Sequence, residues 1–558
     1  MSNSKIWIIG EMSGEVLEPL LESKSIKKSE MTDITISALI TSIRNSPINV
    51  FYQPPIFTMH SGYTNLSAIN VDSKNPYYSS IGGILFNRPA TTLIRCPPAY
   101  PNIVELSTFK VPGDEAYTQI TKIDDNAFYR NRLIQNIDLS NIPNIHTIGK
   151  FAFDACNLTG ELGLANNIRI LDEGCFKDNH ELIRVKWYDP ETSASLETIN
   201  NRALFNCYNM QVFPFYNCPN LTIIDYNAFE ACFGLTEIDI GDCSSLQTIG
   251  NSAFNDTTMH PEKHVESIIF PPSIRTIGES AFENNYVLAS IAFREGTDFG
   301  ALSLGNDCFK EISNNVVIFK SSADISTDIL SYRMSNTSIT TDIHYIDTDI
   351  YHVDVIKLSE FYVSGHGLLH PNDFTYQGIF TPPPGGFFSA IFSSDTARTN
   401  FLNGYEITTD DLSSGLQNTQ ETIYNILDSP LNSSYNIDIT QINDLTGFTS
   451  NFFQYGIDYV LMRYRRGIYI PRNSTNTSKF KYQISVDDRA LVLLYKPGKI
   501  EYNRHSNTTT SIEGTFVSPP GNNAIYELPV DSNQYYILIV IAYEYTKWQH
   551  LSFSQSYN

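Results

Sequence analysis

One phrase returns through the middle of this chain and limits what it can fold into. It reads "TIGKFAFDAC" at 147–156, "TIGNSAFNDT" at 248–257 and "TIGESAFENN" at 276–285. Aligned on the aromatic slot that closes "AF", the phrase recurs at Phe128, Phe153, Phe176, Leu204, Phe229, Phe254, Phe282 and Phe309. Successive slots lie 25, 23, 28, 25, 25, 28 and 27 residues apart, and each has Ile or Leu five residues earlier, from Ile123 to Leu304. Self-similarity at one phase and a period of 20–50 residues is the signature of a solenoid, in which each unit buries its apolar edge only against its neighbours.

The chemistry within a unit predicts its local structure. "LTEIDIG" (235–241) alternates like a strand. A polar turn and a second short run, "LQTIG" (246–250), follow. Gly250 there permits a tight or left-handed backbone, and "NSAF" is expected to begin a helical turn. Ala leaves room for the next coil and Phe fills the space between layers. The expected fold class is a solenoid of short strands with helical turns, joined to a C-terminal all-β sandwich.

These residues resemble the BspA-like class of leucine-rich repeat. "ESIIFPPSIRTIGESAF" (266–282) follows that class nearly residue for residue, and "NPYYSSIGGILFNRPATTLIRCPP" (75–98) is similar to its lead-in element. Leu204 in the aromatic slot and an insertion at "HPEKHVES" (260–267) depart from it. The resemblance implies a curved solenoid over 54–345, one face lined by strands. It also implies protein or surface recognition, without catalytic residues.

Residues 1–53 precede the repeats. Met31, Ile34, Leu39, Ile40 and Ile43 in "SEMTDITISALITSIRNSP" (29–47) predict an amphipathic helix stopped by Asn45 and Pro47. Such a segment would cap the open end of a solenoid; an anchor to a larger assembly is the rival reading.

After a linker at 346–380, cysteine and the repeat both stop. "TPPPGGFF" (381–388) reads as loop and 410–428 as a helix. The runs 460–471, 479–488, 490–498 and 535–545 read as strands of an antiparallel sandwich or jelly roll. Within 381–558, "MRYRRGIYIPRNSTNTSKFKYQISVDDRALVLLYKPG" (462–498) resembles the lectin-like β-sandwich first described in anthrax protective antigen and shared with yeast flocculins. In the flocculin branch an Asp pair joined by a cis peptide holds Ca²⁺, which grips sugar hydroxyls. The resemblance places that role on Asp487 and Asp488. Adjacent carboxylates on a strand otherwise point to opposite faces, and a cis non-proline bond costs roughly 3–4 kcal/mol, which bound Ca²⁺ would offset. A strand-end pair capping a turn without metal is the alternative.

Composition narrows the partners. Sixty acids against 37 bases give a formal net charge of −23, which disfavours nucleic acid and anionic bilayers. The eight cysteines lie between Cys96 and Cys308 with no CxxC spacing, so zinc and redox sites are not expected. Cys156, Cys207 and Cys232 share the position three residues past the slot and read as small buried thiols. No apolar run approaches the ~20 residues of a membrane helix, and the N-terminus lacks a secretory pattern. "HGLLH" (His366, His370) has no third ligand, and "RYRR" (463–466) reads as a solvated strand face. The nine Asn-x-Ser/Thr sequons, among them Asn65, Asn157, Asn220 and Asn507, fit chance in an Asn-rich chain.

The function expected from these features is non-enzymatic adhesion or receptor recognition. The solenoid would present a carbohydrate-binding sandwich to a cell-surface glycan or protein, with Ca²⁺ as the one candidate cofactor. Synthesis in the cytoplasm and exposure on a virion or cell surface fit the missing signal. A structural part of a virion or surface assembly is the alternative.

Overall fold

A computed structural model describes residues 5–8, 27–40, 63–100, 103–104, 106, 119–257, 265–313, 315–321, 334, 337, 342–348, 352–357, 394, 396, 447–452, 460–472, 477–486, 489–497, 500–503, 506–509, 512–518, 525–544 and 549–557. The chain divides into two units. One comprises Met1–Tyr286, Thr297–Ile312 and Asp328–Thr340; the other comprises Val287–Gly296, Ser313–Thr327 and Thr341–Asn558.

In the first unit each repeat opens with a two-residue strand. Lys122–Ile123, Thr147–Ile148, Ile170–Leu171, Thr198–Ile199, Ile223–Ile224, Thr248–Ile249, Thr276–Ile277 and Ser303–Leu304 pair in parallel, coil upon coil, in constant register. β-branched residues suit this half-buried ladder. The inner residue from Ile123 through Ile277 is fully buried, while its predecessor faces outward. The hairpin of Tyr78–Ile81 and Ile84–Asn87, followed by Thr92–Arg95, continues the same sheet at its N-terminal end.

The segment after each strand is not a helix. Residues two before and two after every aromatic slot have positive φ, for example Ser252 at +53° and Asp256 at +56° around Phe254. Their neighbours bond locally, as Ala253 N does to Gly250 O (3.3 Å) and Asn255 N to Ser252 O (3.2 Å). The alternate N–H groups leave the coil: Ser252, Phe254 and Asp256 donate to the carbonyls of Glu279, Ala281 and Glu283 in the next repeat. A helix would return those bonds to its own turn. Stacking instead uses them between coils, and this corrects the expected helical turn.

Gly250 is also corrected. Its φ is not positive; a Cβ there would lie 2.5 Å from the backbone nitrogen of Tyr226 in the preceding coil. Close approach of two backbones, not left-handed freedom, requires glycine at this point.

The slot side chains form the core. Phe128, Phe153, Phe176, Leu204, Phe229, Phe254, Phe282 and Phe309 are all buried. Rings stack in two runs. Phe128, Phe153 and Phe176 lie with centroids 4.6 and 5.3 Å apart. Phe229, Phe254, Phe282 and Phe309 follow at 5.2, 5.3 and 5.5 Å. Leu204 interrupts the column, and beyond it Phe213 meets Phe229 edge-on at 5.3 Å.

A second parallel ladder, Ile103–Val104, Asn136–Leu139, Gly160–Leu164 and Leu182–Trp187, runs along the other side of the early coils. The strand expected at 235–241 is reduced to a single bridge, Ile238 to Ile268. In the preceding coil Pro214, which has no N–H to give, and the 3₁₀ turn Phe215–Asn217 break the ladder.

The helix expected at 29–47 is corrected as well. A 3₁₀ turn, Lys28–Glu30, precedes a strand, Asp33–Ile36, which pairs in parallel with Lys5–Ile8 and Ala68–Val71. Ile34 and Ile36 are buried two residues apart, a strand period that competes with the helical one. They pack with Met31, Ile40, Tyr63, Leu66, Ile69 and Leu85.

In the second unit Ser290–Phe293, Asn315–Lys320 and Asp342–Asp347 pair in parallel. The C-terminal strands form two antiparallel sheets. One has the order His352–Lys357, Val460–Ile470, Gln534–Glu544, Arg489–Tyr495, Ile512–Ser518. The other has the order Gly447–Phe452, Gln549–Tyr557, Thr477–Val486, Ile525–Asp531. Phe319 stacks on Tyr535 at 5.0 Å, and Arg294 donates to the Tyr469 hydroxyl at 3.0 Å while lying over its ring. The loop at 381–388 and the helix expected at 410–428 lie outside the described residues.

Candidate functional site

The same geometry that buries the slots determines what the solenoid offers to a partner. The slot carbonyls of Phe128, Leu204 and Phe229 accept the N–H three residues on in their own coils, and slot carbonyls also face the next coil. A side chain fills that demand. Cys156 Sγ donates to Phe128 O (2.9 Å), Asn179 Nδ2 to Phe153 O (2.8 Å), Cys207 Sγ to Phe176 O (3.3 Å), Cys232 Sγ to Leu204 O (3.2 Å) and Asn285 Nδ2 to Phe254 O (2.8 Å). The three thiols read from sequence as buried packing groups are therefore also hydrogen-bond donors, and Asn179 and Asn285 substitute for them. The sequence signal for this ladder was the shared position three past the slot, where Cys or Asn stands in six of the eight coils.

All eight cysteines are free and buried. Burial raises the thiol of Cys207 to about 12 and pushes the others up as well, so none is a nucleophile at neutral pH. Among the described residues no group of His, Cys, Asp and Glu side chains is arranged to hold a metal ion.

With slot residues inside and backbone groups engaged between coils, the groups left outward are side chains on the rim of the turns. One part of that rim is aromatic. His180, Tyr208 and Phe233, each four residues past a slot, stack with centroids 4.3 and 5.1 Å apart. The Asn206 carbonyl, 2.9 Å from His180 Nδ1, keeps the proton on that nitrogen. Beside this row Arg202 lies over the rings of Phe205 (5.8 Å) and Tyr226 (5.6 Å). Lys177 lies 6.0 Å from Phe205 and pairs with Asp178 and, at 3.6 Å, with Asp154. Asp154 is 5% exposed, and burial raises its carboxyl from 3.8 to about 6 against the pull of Lys177.

The eight slot residues thus line the core and touch no external ligand. Asp487 and Asp488 lie outside the described residues, which resume at Arg489 after Val486. His366 and His370 lie outside them too. Within "RYRR", Tyr464 and Arg466 are buried and Arg465 is half-buried, rather than solvated as expected. Long side chains can bury their stems while keeping the charge near polar partners, so charge alone did not place this cluster. Sequence reading missed the rim of Arg202, Phe205 and Tyr226, because aromatic residues near a repeat look like core until the slot register is known. Among the described residues no helix is long and apolar enough to cross a membrane.

Residues 121–260, 189–315 and 259–366 match the family model described as BspA type leucine rich repeat region. No curated protein matches the chain. Among solved structures, a leucine-rich repeat protein from Eubacterium ventriosum is 16% identical, with 58% of this chain and 67% of that one covered and a TM-score of 0.32. Pneumococcal vaccine antigen PcpA is 13% identical, with 56% of each chain covered and a TM-score of 0.26. A leucine rich cell surface protein from Faecalibacterium prausnitzii is 14% identical, covering 62% of this chain and 88% of that one, with a TM-score of 0.19. Residues 121–366 of this chain are thus similar to a BspA type leucine rich repeat region.

Proposed function

We propose that the protein is a non-enzymatic adhesion or receptor-recognition protein. The observation that carries this reading is the stack itself. The coils consume turn N–H groups and the slot carbonyls from Phe128 to Phe282 internally, which leaves a long, regular platform whose rim displays exposed rings such as Tyr208 and Tyr226. Repeats of this kind make extended binding surfaces, and exposed Tyr supplies large contact area at low entropic cost.

In this reading the two C-terminal sheets form a lectin-like β-sandwich. Asp487 and Asp488 hold Ca²⁺ through oxygen ligands, and the ion takes sugar hydroxyls of a cell-surface glycan. The segment 1–53 caps the first coil. The particle or cell that displays the protein exposes both parts to the ligand.

Glycan-array binding by the full chain tests this, comparing wild type with Asp488→Ala in Ca²⁺ and in chelator. Specific binding that disappears in the variant and in chelator is the expected result. No binding by the wild type, together with stable incorporation into a particle, would replace this reading with a structural role in a surface assembly.

A further inference from the structure

The coil containing Leu204 departs from its neighbours at two positions, and both departures lead to the same spot. The position two before the slot is left-handed in every coil, and six of its eight occupants are Asn, Gly, Ser or Asp, of which Asn, Gly and Asp visit positive φ most readily. The exceptions are Phe151 and Arg202, with φ of +53° and +55°. Phe151 has a packing reason: its ring occupies the space that a Cβ on Gly174 would enter, 2.6 Å away. Arg202 has no such reason. Its guanidinium lies between the rings of Phe205 and Tyr226 and makes no hydrogen bond or ion pair with any described residue.

The second departure explains one of those rings. Where other coils place Phe in the slot, this coil places Leu204 there and carries its aromatic residue one position later, at Phe205, which is half-exposed. Tyr226, 41% exposed, comes from the next coil. A planar cation held between two rings, with its donors uncommitted, is arranged for a carboxylate. Glu230, from the next coil, lies within the electrostatic range of Arg202 but forms no ion pair with it.

We propose that Arg202, Phe205 and Tyr226 form a subsite for a carboxylate-bearing sugar of the uronic acid type. The carboxylate engages Arg202 and the apolar face of the ring lies against the aromatic side chains. A sugar is favoured over an acidic peptide because the turn N–H groups of Arg202, Leu204 and Asn206 already donate to Tyr226, Ala228 and Glu230. An extended peptide would find no backbone ladder here, whereas a compact ring is read by side chains alone. The net charge of −23 does not forbid this, since fields beyond ~8 Å are screened at physiological salt. The subsite uses neither Asp487 nor Asp488, and it deepens the recognition reading rather than replacing it.

The test uses the full chain, titrated with methyl β-glucuronide by ligand-observed NMR, with methyl β-glucoside and an acetylated tetraglutamate peptide as comparison probes. Arg202→Asn suits the left-handed backbone and is expected to melt no lower than wild type. The proposal expects saturable glucuronide binding, at least tenfold weaker glucoside and peptide binding, and at least tenfold loss of glucuronide binding in Arg202→Asn and in Phe205→Leu. No glucuronide binding by wild type, equal binding by folded Arg202→Asn, or peptide binding tighter than sugar would each overturn it. Because Asp488→Ala is measured separately, failure here is distinguishable from failure of the C-terminal lectin reading.

Discussion

Asn179 Nδ2 donates to the carbonyl of Phe153, one coil earlier, at 2.8 Å, and also to Phe176 in its own coil at 2.7 Å. Its Oδ1 accepts the N–H of Leu158 at 3.0 Å. One fully buried amide thus ties two slots and a strand entry together. Asn179→Leu would leave those groups without partners, at roughly 1–3 kcal/mol for each buried polar group exposed to apolar surroundings. Cys207→Ser, which keeps a donor at the same repeat position, is expected to cost far less. Urea unfolding of the two variants checks the contrast.

The ring column makes a packing prediction. Phe254 is fully buried and stacked between Phe229 and Phe282. Phe254→Ala is expected to cost about 3–5 kcal/mol. Phe254→Leu, the substitution nature made at Leu204, retains most of the volume and should cost much less. Hydrogen exchange of the amides around residues 229–282 reads the loss where it occurs, which suits a solenoid whose coils open locally.

Asp154 predicts a pH dependence. Its folded value of about 6 is above the ordinary 3.8 because burial disfavours the charged form. The folded state therefore holds the proton more tightly than the unfolded state. The associated stability is complete below about pH 4 and is lost as pH rises through 6. The shift corresponds to about 3 kcal/mol at most. Asp154→Asn should raise the melting temperature at pH 7 and remove this part of the slope between pH 4 and 7. Melting curves across that range decide it; an unchanged slope would show that Asp154 ionises freely.

The thiols predict silence. All eight cysteines are buried with raised pKa values, so a thiol reagent such as DTNB should label none in the native protein at pH 8 and all eight in denaturant. Fast labelling of even one would place it outside the core.

How much of this was legible beforehand depended on period. The slots at Phe128 through Phe309 recur at one phase, and burial follows directly from that repetition, as it does for Ile249 and Ile277. The turn conformation was not legible, because "NSAF" is compatible with a helical turn until the next coil offers carbonyls at Glu279, Ala281 and Glu283. Nor was the strand at Asp33–Ile36, since Met31, Ile34 and Ile40 suit a helix and only pairing with Ala68–Val71 selects the strand.

The sequence by itself determined that this chain stacks. A coil of about 25 residues has an apolar edge it cannot bury alone, and the repeated Ile, Ala and Phe specify which side chains meet. Only the tertiary structure decided where the donors go and what remains outside. Hydrogen bonds between Phe254 and Ala281, or Asn285 and Phe254, join residues about thirty positions apart, and no local pattern encodes a partner at that distance. The same stacking brought Arg202, Phe205 and Tyr226 from two coils to one place on the rim.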